Sequence, residues 1–157
     1  MDLPDWASII LLLFFLLMSA FYSATETAFA CLNKYKFQIE AEDGKVSSKL
    51  IVKLYEHFET TLITVLIGNN LFAVLISTVS TFLFLHLFHG ILDDSVVSLI
   101  ASIIMAIITF MFGDTIPKFV AKRAPNVVAK VVIFPTALFV ILFFPVSLVF
   151  RGFEWLT

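Results

Sequence analysis

Residues 6–25, WASIILLLFFLLMSAFYSAT, are twenty positions without a charge. At about 1.5 Å per residue, a helix of that length crosses the roughly 30 Å hydrocarbon core of a bilayer. Trp6 suits the outer interfacial belt. The leader MDLPD is acidic, whereas a secretory signal begins with basic residues, so the run reads as a retained first span. The rest of the chain agrees. It is 157 residues long, 61% hydrophobic, with mean hydropathy +1.04, which excludes a soluble domain and leaves room for three or four spans. The net charge of −2, with no basic patch away from the membrane flanks, gives no footing for nucleic acid. The single cysteine, Cys31, excludes an intrachain disulfide and a multi-cysteine metal site, and reads as a small core residue.

The placement of basic residues orients the chain. Lys34, Lys36, Lys45, Lys49 and Lys53 form one group, Lys118, Lys122, Arg123 and Lys130 a second, and Arg151 stands near the end. The segment before Trp6 and the loop His89–Asp94 hold only acids and histidine. Cytoplasmic loops retain Lys and Arg, so 33–58 and 118–130 face inside, and the N-terminus and 89–94 face outside. The expected fold is an all-α membrane protein with three transmembrane helices, at about 6–32, 60–88 and 95–117. The first helix is expected to run on through Ala28–Glu42 to a turn at Asp43-Gly44, followed by an amphipathic helix, so that 33–58 forms a cytoplasmic helical hairpin. His86 and His89 flank the outer end of the second span as interfacial residues or, less simply, metal ligands. Val131–Phe150 is a fourth apolar run, but Pro135 and Pro145 interrupt it and Lys130 and Arg151 bracket it. It is expected to be a Pro-broken juxtamembrane helix belt over about 124–157, re-entrant or interfacial, with a cytoplasmic C-terminus.

Polar side chains within spans are costly and mark candidate functional sites. Ser19, Ser23 and Glu26 share one face of the first helix by their i, i+4, i+7 spacing. The second helix carries Thr64, Gly68, Asn69 and Asn70, and the third Gly113 and Asp114. Ser23 is 17 residues past Trp6, Asn69 is 17 before His86, and Asp114 is 19 past Ser95. Each therefore lies about 25–29 Å from the outer face, and the three converge in the cytoplasmic half. Pro117 lacks an N–H, which frees the Gly113 carbonyl four residues earlier. Carboxylate, amide, hydroxyl and carbonyl oxygens suit Mg²⁺ or Ca²⁺ better than zinc or copper. Plainer readings stand beside this one. In these, Ser19 serves helix packing, Asn69 or Asn70 interhelical hydrogen bonding, Glu26 a lysine pair at the interface, and Asp114 an i, i+4 pair with Lys118.

Three strings, SAFYSATETAFACLN (19–33), TTLITVLIGNNLFAV (60–74) and FGDTIPKFVAKRAP (112–125), together resemble the transmembrane domain of the CNNM (cyclin M)/CorC family of magnesium transporters. The resemblance runs from about Leu11 to Trp155, so that 1–157 is expected to be one such domain. The family pattern F-S-x-x-E-T appears here with Ser23 at the motif serine, I-G-N as Ile67-Gly68-Asn69, and F-G-E-x-x-P-K as Phe112 to Lys118. Asp114 stands where the family usually has glutamate. The resemblance implies a homodimer through three membrane helices per subunit, in a bacterial or archaeal cytoplasmic membrane. It implies Mg²⁺ export coupled to Na⁺ entry, with the ion held by the motif serine, asparagine, glycine carbonyl and acid. It also implies cytoplasmic CBS domains, which this sequence does not contain.

The expected function is thus a secondary transporter exporting Mg²⁺, with Na⁺ as the coupling ion, not an enzyme. The candidate metal residues are Ser23, Asn69, Gly113 and Asp114, then Ser19, Asn70 and Glu26. The alternative is a membrane-anchored Mg²⁺-sensing module that does not transport. Both need an ion site, and only transport needs alternating access.

Overall fold

The computed structural model describes the backbone of residues 4–154 and the side-chain surroundings of residues 4–142. Among the described residues the chain is helical throughout, without strands: α1 (Asp5–Cys31), α2 (Lys34–Glu42), α3 (Val46–Glu56), α4 (Phe58–Leu87), α5 (Asp94–Ile108), a π segment (Thr109–Thr115), α6 (Ile116–Arg123) and α7 (Pro125–Glu154). The long helices leave Leu13, Leu17, Phe82, Ile103, Ile107 and Phe110 exposed. Large apolar side chains in that number on the outside of the protein are what a lipid-facing surface requires.

Helix α1 does not continue through residue 42. It ends at Cys31, and Asn33 starts α2 by accepting the Lys36 N–H on its side chain at 3.2 Å. An amide that caps a new helix competes with continuing the old one, and here the cap prevails. The same asparagine donates its backbone N–H to Asn126 Oδ1 at 2.9 Å, tying the start of the hairpin to the start of α7. The turn at 43–44 is present, with Gly44 at φ +92°, a conformation that favours glycine. Cys31 is exposed rather than a core residue.

Below the spans, α2, α3, α6 and α7 close a small apolar core of Phe29, Phe37, Ile51, Leu54, Ala121, Ala129 and Ile133. Glu40 fastens this layer. Its carboxylate meets Lys130 Nζ at 2.7 Å and Lys45 Nζ at 3.7 Å, and accepts the Ser48 hydroxyl at 2.8 Å. The hydrogen bond to Lys130, aided by Ser48 and the two positive charges, holds the Glu40 carboxyl at about 2, well below its usual 4.5. At the opposite end of the long helices, His86 Nδ1 meets Asp5 Oδ1 at 2.8 Å, so the start of α1 lies level with the end of α4. Asp93 caps α5 by accepting the Ser95 N–H at 2.9 Å, a bond that lowers the Asp93 pKa.

The helix that carries the third expected span does not stop at Pro117: α5, the π segment and α6 run on as one helix from Asp94 to Arg123. Nor do Pro135 and Pro145 break α7, which is continuous over 30 residues. An interior proline forfeits one hydrogen bond, but unwinding in an apolar setting would expose several more backbone groups with no water to receive them. Thr136 adds a bond in that turn, donating Oγ1–H to the Val132 carbonyl at 2.7 Å. By length and composition alone, four helices among the described residues are suited to cross a membrane, α7 among them. The chain termini, with Trp155 and the predicted cytoplasmic end, lie outside the described residues. Helix α7 packs along α1 and α4, and Phe139 reaches Tyr22 with ring centroids 5.3 Å apart.

Candidate functional site

Helices α1 and α4 share the most extensive contact in the protein, and the π segment closes against α1 beside it. That junction gathers the polar side chains. Ser19 donates its hydroxyl to Asn69 Oδ1 at 2.9 Å, and Ser23 donates to Asp114 Oδ1 at 2.9 Å. Ser23 also lies 3.4 Å from Asn69 Oδ1. A serine has one proton to give, so the shorter bond to the carboxylate takes it and the longer contact is secondary. Three helices thus meet through two serines, an amide and an acid, the convergence expected from their matched positions along the helices.

The π segment was not legible beforehand. Its i→i−5 register carries the Ile116 N–H to the Met111 carbonyl. Pro117 sits where that register returns to α, so it supplies no N–H to the turn holding Phe112 and Gly113. Single-turn π bulges of this kind occur often at functional sites. Gly113 is buried, and a Cβ there would lie 3.1 Å from Ser19 Oγ. The glycine therefore allows the backbone to approach the serine face of α1.

Lys118 completes the cluster. Its ammonium lies 3.0 Å from Asp114 Oδ1 and 3.3 Å from Glu26 Oε2. Both lysine pairings raised as plainer readings are therefore present, on a single lysine. Glu26 reaches the site through Lys118. Asn70 does not belong to the site: it is exposed, one residue round the helix from the half-buried Asn69. Among the described residues no three His, Cys, Asp or Glu side chains cluster as a metal group; the oxygens here are of mixed type. Two carboxylates and one ammonium leave one net negative charge.

Beside Ser19, Asn69 and Asp114 opens a cavity of about 350 Å³ between α4 and α5. Its walls are Ala73, Ile76, Ser77, Ser102, Met105 and Phe110, with Thr109 near the acid. Ser77, Ser102 and Thr109 were not singled out from sequence as site residues. Their spacing does not distinguish them from serines and threonines bonded to their own helix, as Ser102 is to the Ser98 carbonyl at 2.8 Å.

A polytopic helical membrane protein with a charged, hydrogen-bonded cluster between its spans belongs to the class that handles ions or polar solutes. The chain matches the family described as "Cyclin M transmembrane N-terminal domain" (CNNM) over residues 9–156, and belongs to that family. It is 32% identical over 112 residues to "UPF0053 inner membrane protein YfjD" of Escherichia coli, covering 71% of this chain and 25% of the relative. It is 31% identical over 147 residues to "UPF0053 protein MG146 homolog" of Mycoplasma pneumoniae, covering 87% of this chain and 34% of the relative. A "UPF0053 protein" of Haemophilus influenzae is 33% identical over 120 residues, covering 76% of this chain and 27% of its own length. The chain thus spans about a quarter to a third of the length of these relatives. It is an integral membrane protein of a bacterial membrane.

Proposed function

We propose that this domain binds Mg²⁺ between its spans and exports it, exchanging it for Na⁺. The observation that carries the proposal is the convergence of Ser19, Ser23, Asn69 and Asp114 at the π segment, beside a cavity, with net negative charge. Hard divalent cations take carboxylate, amide, hydroxyl and carbonyl oxygens, and Mg²⁺ commonly keeps part of its water, for which the cavity has room. Ser23, Asn69, Asp114 and the Gly113 carbonyl are the primary ligands in this reading, with Ser19 holding Asn69. No covalent chemistry is involved. In this reading α1, α4 and the Asp94–Arg123 helix cross the membrane, with the N-terminus outside.

A homodimer through the spans is part of the proposal. Ser77 and Thr78 are exposed on α4, and small side chains of this kind permit close helix approach. Mass measurement in lipid nanodiscs tests it, and a monomer would remove it.

The deciding experiment is Mg²⁺ flux from loaded proteoliposomes with and without an opposing Na⁺ gradient. Sodium-driven export is expected. Mg²⁺ binding without flux would instead make the domain a sensor.

A further inference from the structure

We propose that Lys118 is a tethered counter-cation that competes with the transported ion for Asp114 and returns to Glu26 when the ion binds. This rests on the cation-transport reading above and concerns how the same site releases its ion. The geometry is specific. The Lys118 ammonium contacts Asp114 Oδ1 at 3.0 Å and Glu26 Oε2 at 3.3 Å, so it already bridges both positions. Asp114 Oδ1 is also the oxygen that accepts the Ser23 hydroxyl. An ion ligated there meets a positive charge at contact distance, and like charges that close repel each other even where partial exposure screens them.

A lysine displaced from its only acid would lose its ion pair, at a cost that partial exposure reduces but does not remove. Here Glu26 removes that cost. It lies one helical turn below Ser23, on the cytoplasmic side, as Lys118 lies about one turn below Asp114. Lys118 can therefore yield Asp114 and keep a full ion pair. The three side chains are each about a third exposed, at 36%, 33% and 27% for Lys118, Asp114 and Glu26, so the exchange does not require opening the core. The cavity flanked by Ser102 and Met105 lies on the opposite, outer side of Asp114. Lys118 and Glu26 thus stand between the ion position and the cytoplasm. The ammonium weakens binding and speeds release, whereas a lysine that merely braced the fold would do neither.

The test is calorimetric Mg²⁺ affinity and stopped-flow Mg²⁺ release for the full chain in nanodiscs, compared among Lys118→Gln, Lys118→Arg, Glu26→Gln and the Lys118→Gln/Glu26→Gln pair. Lys118→Gln is expected to bind Mg²⁺ at least about tenfold more tightly, a modest share of one contact charge, and to release it more slowly. Lys118→Arg should stay near the parent. Glu26→Gln should weaken binding in the parent, because the ammonium then rests on Asp114 alone, and should lose most of that effect when Lys118 is already Gln. As a check independent of Gln tolerance, Lys118→Cys in a Cys31→Ser background should bind tightly. Modification with 2-aminoethyl methanethiosulfonate, which restores the positive charge, should loosen it. Unchanged or weaker binding by folded Lys118→Gln overturns the proposal, as does an equal Glu26→Gln effect in both backgrounds. A parent chain that binds no Mg²⁺ overturns the transport reading itself, and this proposal with it.

Discussion

The Tyr22 ring lies directly over the backbone of Gly68: a Cβ at residue 68 would fall under 3.0 Å from Cζ, Cε1 and Cδ1 of that ring. Tyr22 is buried between Phe72, at 5.8 Å between centroids, and Phe139, at 5.3 Å, so it has no room to retreat. Gly68 precedes the site amide Asn69, and Tyr22 precedes the site hydroxyl Ser23. The contact therefore sets the spacing of α1 and α4 where the polar groups meet.

Gly68→Ala is accordingly expected to destabilise the domain by about 1–3 kcal/mol, the usual range for overpacking, and to weaken Mg²⁺ binding by moving Asn69. Tyr22→Phe gives the contrasting result. The Tyr22 hydroxyl is buried without a hydrogen-bond partner among the described residues, so removing it while keeping the ring should leave stability unchanged or raised. Thermal unfolding in mild detergent measures both. A well-folded Gly68→Ala with parental stability and affinity would show that the close approach is not needed.

The acid should dominate ion binding. Asp114 is the carboxylate bonded to Ser23, and removing a charge from a hard-cation site costs far more than removing one neutral oxygen. Asp114→Asn is expected to abolish measurable Mg²⁺ binding and flux, with Ser23→Ala and Asn69→Ala weakening both. Pro117→Ala should also weaken binding, because it restores an N–H to the turn at Gly113. Asp114→Glu should retain activity, the longer acid being the usual family residue. Calorimetry on variants that remain folded by gel filtration reads the series. Parental affinity in Asp114→Asn would move the site elsewhere.

The layer built on the 33–58 hairpin should respond to acid through Glu40. Its folded pKa of about 2 lies below the ordinary 4.5. A carboxylate with a depressed folded value contributes stability that is fully present above about pH 4.5 and is lost as the pH falls towards about 2. Unfolding followed across that window should show a decline that Lys130→Met largely removes, since Lys130 supplies the leading cause of the shift. An unaltered acid profile in folded Lys130→Met would detach Glu40 from this stability.

Much of this was legible in the sequence because the bilayer makes polar residues conspicuous. Ser23, Asn69 and Asp114 could be brought to one depth by counting residues along the helices, and the structure bonds Ser23 to Asp114 with Asn69 3.4 Å from the same hydroxyl. What counting does not give is rotation about a helix. Asn69 and Asn70 share nearly one depth, and only packing shows that the first faces the site. The π segment escaped for a related reason: Gly113 and Pro117 signal disturbed hydrogen bonding, but a break and a register change leave the same trace in sequence. Pro135 and Pro145 erred in the other direction. Proline reports a lost bond, whereas the fate of the helix depends on what else would satisfy the backbone groups that unwinding frees, and α7 keeps its ladder.

Helix α7 sets the remaining question of topology, since length and charge oppose each other along it. Its 30 residues amount to about 45 Å, enough to cross, and Phe139 carries it up to Tyr22 on α1. Lys130 is fixed to the 33–58 hairpin, which the charge pattern assigns to the cytoplasm, by its 2.7 Å pair with Glu40. A full crossing would carry Arg151 outside, against the rule that retains basic residues in the cytoplasm. We expect the charge to prevail, giving three crossings and a cytoplasmic end. Thr157→Cys in a Cys31→Ser background, probed with a membrane-impermeant thiol reagent, should remain unlabelled in intact cells and react after permeabilisation. Labelling from outside would establish a fourth crossing by α7 and place both ends of the chain on the outer face.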